Sequence, residues 1–181
     1  FVSSGVCAAK GFKAAGVHCG IRKNKTKKDL ALIVSDKKAA AACVYTRNLV
    51  KGAPIAVTKA HVADGYAQAV ICNSGIANTC ASDGIETATG MCQLAAQALH
   101  ISENDIVVAS TGVIGPSLPL EPIGAHMGEL VAELSMEGSE DAATAIMTTD
   151  TVKKEVAVSF AVNGTECKIG GIAKGSGMIH P

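Results

Sequence analysis

The 181-residue sequence has no tryptophan, two tyrosines and three phenylalanines, so its core must rest on aliphatic and small side chains. It has no excess charge of either sign. Sixteen basic and sixteen acidic residues cancel, which argues against nucleic acid as a partner. Long apolar runs are missing too. Although 48% of the residues are hydrophobic and the mean hydropathy is +0.30, no stretch reaches the roughly 18 apolar residues that a membrane span needs. Seven cysteines (Cys7, Cys19, Cys43, Cys72, Cys80, Cys92, Cys167) contain no Cys-x-x-Cys pair, which disfavours a disulfide framework and a zinc knuckle. Most sit among Ala, Val and Ile, where a thiol behaves as a small buried hydrophobe and fits a reducing compartment. Phe1 to Gly5 show no signal-peptide architecture.

The familiar catalytic and cofactor signatures are absent as well. Lys174 precedes Gly175 and Ser176, the wrong order for a Walker A loop. No Gly-x-Gly-x-x-Gly opens a helix after a strand, and no Gly-x-Ser-x-Gly elbow occurs. The histidines, His18, His61, His100, His126 and His180, are scattered. None has metal-ligand spacing, and His61, His100 and His126 read as surface or helix positions. The one dense basic cluster, Arg22 to Lys28, has no interleaved aromatics and reads as a solvated loop with some pull on anions.

What is present is a mixed α/β pattern. Apolar runs of strand length occur at Leu30 to Val34, Ala40 to Tyr45, Ala67 to Cys72 and Ile106 to Ala109. Ile85, Ala88, Cys92, Ala95, Ala96 and Leu99 recur at helical steps, and Asp83 with Glu86 supplies a start, predicting a helix over Asp83 to His100. A second helix begins near Leu120 with Pro122 in its first turn, places Ile123, Met127, Leu130, Val131 and Leu134 on one face, and ends around Gly138. Ser139 to Ala145 forms a third. Val156, Val158, Phe160 and Val162 then alternate, Asn163-Gly164 signals a type I′ turn, and an apolar return runs through Cys167 and Ile169. The length suits one domain spanning residues 1–181, with helices layered on sheets.

Three glycine-rich stretches are candidates for chemistry: Ser110 to Gly115 and Asn73 to Asn78, each read as following a strand, and Gly170 to Pro181 with Lys174. In Ser110 to Gly115, hydroxyls and backbone N–H groups could converge on a developing negative charge. The last stretch breaks off just after backbone suited to close approach, so the chain reads as half of something. A catalytic system built on this chain alone would lack an obvious base.

The motifs resemble the ornithine acetyltransferase (ArgJ) family, also called glutamate N-acetyltransferase, of arginine biosynthesis. The resemblance runs through Gly11 to Val17, Asn73-Ser74-Gly75 with Ala77-Asn78 and Cys80, Ser110 to Gly115, Met147 to Thr151 and Gly171 to Pro181. It implies a layered α/β/β/α sandwich of the N-terminal-nucleophile type, in which this α chain is completed by a β chain cut from the same precursor. The β chain would bring an N-terminal threonine as nucleophile, with its own amine as base. By the same resemblance, Thr111 and Gly112 stabilise the oxyanion, and Thr148 and Lys174 contact substrate. The implied reaction passes the acetyl group of N2-acetylornithine to glutamate by a ping-pong route, with no metal or cofactor and with acetyl-CoA a second donor in some members. The implied assembly is an α2β2 heterotetramer in the cytoplasm, or in the mitochondrial matrix of a eukaryote, with no nucleic acid or membrane partner. A self-cleaving amidase or aminopeptidase of related fold and a non-catalytic amino-acid-binding subunit are the alternatives.

Overall fold

Two sheets and four α-helices make up the chain in the computed structural model, which describes residues 1–176. The main sheet has the order β1-β2-β3-β4, formed by Phe12–Val17, Leu30–Ala40, Tyr66–Ile76 and Ile106–Val113. The first three strands are antiparallel neighbours, and β4 joins β3 in parallel. A parallel partner requires a crossover, and α2 (Gly84–Leu99) supplies it.

Alternation along the strands sorts side chains onto two faces. Ala15, Val17, Leu30, Leu32, Ile71, Ile106 and Val108 pack against α1 (Ala53–His61), α2 and α3 (Leu120–Ala132) through Val57, Met91, Cys92, Ile123, Met127 and Leu130. Ala14 and Ala31 face the other way, towards Ala142 and Ala145 of α4 (Ser139–Ala145) and Cys7. On that side also lies the second sheet, a hairpin of β5 (Lys154–Val162) and β6 (Thr165–Ala173), with Ile172 packed against the same small cluster. The class is therefore mixed α/β, with α1, α2 and α3 on one face of the main sheet and α4 with the two-stranded sheet on the other. Among the described residues, no helix is long and apolar enough to cross a membrane.

Local signals explain most boundaries. His100 ends α2 in the left-handed conformation and donates its N–H to the Ala96 carbonyl. Asn163 and Gly164 both take positive φ, at 50° and 78°, as a type I′ turn requires. Asp83 does precede α2, but its side chain caps nothing and instead accepts the Ser117 hydroxyl at 3.0 Å.

Several expectations are corrected. Ala40 to Tyr45 is not a strand: β2 runs on from Leu30 to Ala40, and residues 41–48 form no regular structure, with Val44 fully exposed. The apolar residues there face outward, so the run of hydrophobicity does not mark burial in this chain. Helix α3 stops at Ala132 rather than near Gly138, because Ser135 leaves the helix to bridge to Ala14 of β1. Ile85 lies 52% exposed, and Met91, absent from the periodic set, is wholly buried.

Two elements were not anticipated. Strand β1 is Phe-Lys-Ala-Ala-Gly-Val, too poor in β-branched residues to signal a strand. Helix α1 is short, with Pro54 in its first turn and Lys59 and His61 in its last. It is fixed by tertiary bonds: the Thr58 hydroxyl donates to the Val108 carbonyl at 2.8 Å and accepts the Val108 N–H at 3.0 Å. We expect Met91→Ala to cost about 2–5 kcal/mol in urea unfolding, while Ile85→Ala stays within about 0.5 kcal/mol.

Candidate functional site

Both central glycine motifs begin inside strands rather than after them and run past the strand ends. Asn73, Ser74, Gly75 and Ile76 close β3, and Ser110, Thr111, Gly112 and Val113 close β4. The parallel register pairs them one to one, Ser74 with Thr111 and Gly75 with Gly112. Gly112 has φ +133° and Gly75 +110°, values that side chains disfavour. A Cβ on Gly112 would also run into the Gly75 carbonyl. Glycine is thus required for the two backbones to lie this close.

The ends of this parallel pair open into a cavity of about 1120 Å³. Thr111 and Gly112 line it from β4, Gly75 and Ile76 from β3, Thr148 and Thr149 from the loop after α4, and Lys174 and Gly175 from the end of β6. All four candidate residues, Thr111, Gly112, Thr148 and Lys174, therefore share one wall-to-wall space. Residues 177–181 of the terminal motif, including His180, lie outside the described residues.

Arg22 was read as part of a solvated loop, and here that expectation is corrected. Lys23 to Lys27 are exposed, but the Arg22 guanidinium turns inward. Its Nη1 donates to the Met147 carbonyl at 2.7 Å and its Nη2 to the Thr148 carbonyl at 3.3 Å. Arg22 is itself anchored by Asp29, whose wholly buried carboxylate accepts the backbone N–H of Cys19 at 2.6 Å and of Arg22 at 2.8 Å. His18 Nδ1 stands 3.3 Å from the same carboxylate.

Asp150 was not anticipated either. It accepts the Thr148 N–H at 3.2 Å and the Gly175 N–H at 2.6 Å, and pairs with Lys154 at 2.8 Å and Lys174 at 3.6 Å. The Lys154 ammonium first, then these N–H groups and Lys174, hold its carboxyl well below the usual carboxylate range against the opposing cost of desolvation. A depressed carboxylate contributes stability above its unfolded value, and that stability is lost only as pH falls through the folded one. The arrangement is therefore intact at neutral pH. Asp and Arg in polar stretches carry no periodic signal, so pattern reading passes over both.

The remaining candidates add no chemistry at this site. Burial pushes the Cys19 and Cys92 thiols up to about 12, which leaves them inert as nucleophiles. His61 and His126 bond backbone carbonyls of Ile106 and Pro122. Among the described residues, no three His, Cys, Asp or Glu side chains are grouped to hold a metal ion. Among the described residues the cavity is lined by hydroxyls, backbone N–H groups and an ammonium, a set suited to stabilising negative charge.

Comparison with known proteins agrees in sequence and in fold. The model of the ArgJ family matches residues 13–181. The arginine biosynthesis bifunctional protein ArgJ of Symbiobacterium thermophilum is 48% identical over 183 residues, covering 100% of this chain and 46% of that protein. The crystal structure of the ArgJ protein from Bacillus halodurans superposes with a TM-score of 0.91 at 44% identity, over 98% of this chain and 93% of the solved one. The structure of ornithine acetyltransferase from Mycobacterium tuberculosis complexed with ornithine gives a TM-score of 0.91 at 39% identity, over 98% and 95% of the two chains. The chain thus spans less than half the length of the curated relative, and nearly all of each solved chain. For the Arg22 clamp, Arg22→Lys keeps the charge but loses the fork, and hydrogen exchange at Met147 to Asp150 should quicken by about tenfold or more, the scale of a lost charge-assisted bond.

Proposed function

The chain belongs to the ArgJ family, and from that membership we propose that it is the α half of an acetyltransferase that moves the acetyl group of N2-acetylornithine to glutamate. The observation that carries this reading is the convergence of Thr111, Gly112, Thr148 and Lys174, from three separate parts of the chain, on one cavity. The residues that the resemblance marks are together in space, and all four offer hydrogen-bond donors.

The chemistry follows from that donor set. A threonine hydroxyl on a second chain attacks the acetyl carbonyl, and its α-amine takes the proton. The carbonyl oxygen becomes an oxyanion, which the Thr111 hydroxyl and the Gly112 N–H stabilise. Collapse expels the amine of ornithine with that proton and leaves an acetyl ester on the threonine. The amine of glutamate attacks the ester through a second oxyanion in the same place, the α-amine takes its proton and returns it to the departing threonine oxygen as the C–O bond breaks, and N-acetylglutamate and the free threonine result. Lys174 supplies positive charge for a substrate carboxylate or for the oxyanion, and Thr148 orients the acyl group. No cofactor enters these steps. Acetyl-CoA as a further donor is tested by replacing N2-acetylornithine with it in the same assay.

The partner is proposed as the β chain of the same precursor, in an α2β2 assembly. Support comes from the apolar surface of the hairpin, where Val156, Phe160, Val162 and Ile169 are exposed in adjoining register, and from exposed Val44 and Leu49 in residues 41–51. Apolar patches of this kind mark interfaces. The seven free thiols fit a reducing compartment, and the cytoplasm is the proposed location.

Intact-mass spectrometry of the full-length protein after incubation with N2-acetylornithine should show one added acetyl group on a second chain that begins with threonine. Absence of that adduct, or release of free acetate without transfer to glutamate, would replace this reading with a binding subunit or an amidase. Thr111→Ala should lower kcat by about 10²- to 10³-fold with little change in KM, the cost of one oxyanion donor. Phe160→Asp should prevent the two chains from co-eluting in size-exclusion chromatography.

A further inference from the structure

The proposed chemistry uses Lys174 and Thr148 and leaves unexplained the carboxylate between them. Asp150 lies in the loop joining α4 to β5, yet its side chain is only 3% exposed. An ordinary loop aspartate is solvated, and a buried one is costly unless paired and bonded. Asp150 meets both conditions with donors from three parts of the chain: the Thr148 N–H from its own loop, the Lys154 ammonium from the start of β5, and Lys174 with the Gly175 N–H from the end of β6. Lys154 pairs with Ala173 in the hairpin register. The carboxylate therefore clasps the open end of the hairpin to the Thr148 loop.

Lys174 is the residue most affected. Lysine is a point charge on a flexible stem and loses considerable rotamer entropy when fixed. Here the ammonium donates to the Gly175 carbonyl at 2.7 Å and stands 3.6 Å from the Asp150 carboxylate, so its tip is held on the cavity wall. The pair with Asp150 is looser than that of Lys154, which leaves Lys174 the more readily shared with an incoming anion.

We propose that Asp150 is a positioning residue that holds the Lys174 ammonium on the cavity wall beside Thr148, and that it acts on substrate only through Lys174. The substrate part of this inference rests on the acetyltransferase reading above, whereas the holding of Lys174 does not.

The test uses the full-length protein carrying Asp150→Asn, which keeps an acceptor oxygen and the side-chain shape but removes the charge. Reductive methylation followed by peptide mass spectrometry reports Lys174 directly, with exposed Lys59 as the internal reference. Lys174 should react about fivefold faster in the variant. The KM for N2-acetylornithine should rise about tenfold while kcat stays within about threefold, the mark of lost binding rather than lost transition-state stabilisation. In a Lys174→Met background, Asp150→Asn should add nothing to KM, because residues acting through one another are not additive.

Unchanged Lys174 labelling overturns the proposal. So does a full KM effect of Asp150→Asn in the Lys174→Met background. If the wild-type protein transfers no acetyl group, the acetyltransferase reading fails, and labelling alone decides whether Asp150 holds Lys174. Should Asp150→Asn not fold, Asp150→Glu retains the charge and should keep Lys174 labelling within about twofold of wild type. A larger rise there shows that charge is not what holds the lysine.

Discussion

The in-register parallel pairing of β3 and β4 is the constraint on which the site depends. It places Gly75 beside Gly112 and Ser74 beside Thr111, and it works only because no side chain occupies the space between those two backbones. Parallel neighbours cannot be joined by a tight turn, so α2 must cross the sheet between them. Its buried residues, Ala88, Met91, Cys92, Ala95 and Ala96, in turn fill the layer that α1 and α3 complete. The cavity lies where this pair ends, the position at which open sheets with parallel strands present ligand sites.

Around that rigid floor the walls are irregular backbone, and irregular backbone needs partners for its polar groups. Two buried carboxylates supply them. Asp29 gathers the N–H groups of Cys19 and Arg22, which aims the Arg22 fork at the carbonyls of Met147 and Thr148. Asp150 takes the N–H of Thr148 from the other side. The Thr148 peptide is thus gripped at both its donor and its acceptor. Sites of this kind need residues held without a helix or strand to hold them, and charge-assisted bonds to backbone do so with direction as well as energy.

The division of labour in the proposed reaction follows from the same geometry. This chain presents preorganised donors and an ammonium on fixed elements, which is what stabilisation of a developing oxyanion requires. The nucleophile and base, by contrast, are proposed to arrive with a second chain over the exposed apolar hairpin face. On that proposal the donors of this chain and the nucleophile of the second one share a single site.

Helix α2, the hairpin and its Asn163-Gly164 turn were legible in the sequence because each is specified by neighbours: the periodicity of burial, a turn dipeptide, alternation of side chains. The glycine motifs were legible as a family resemblance, because several of them are long and idiosyncratic. Strand β1 was not, because Ala14 and Ala15 become strand residues only by pairing with Ile33 and Leu32, and neither has a preference of its own strong enough to show. The apolar run from Ala40 to Tyr45 misled in the opposite sense, since hydrophobicity records that a surface is to be covered and does not say by what. Arg22 and Asp150 were invisible because Arg22 serves carbonyls 125 and 126 residues away and Asp150 joins its own loop to Gly175, 25 residues on. By itself the sequence determined α2, α4, the start of α3, the hairpin and the family resemblance, all of which are written in local order. Only the tertiary structure decided which strands run parallel, and hence that Thr111 and Gly112 meet Thr148 and Lys174 in one cavity, with Arg22 and Asp150 bonded to the Thr148 loop, because pairing across the chain is set by the packing of the whole core.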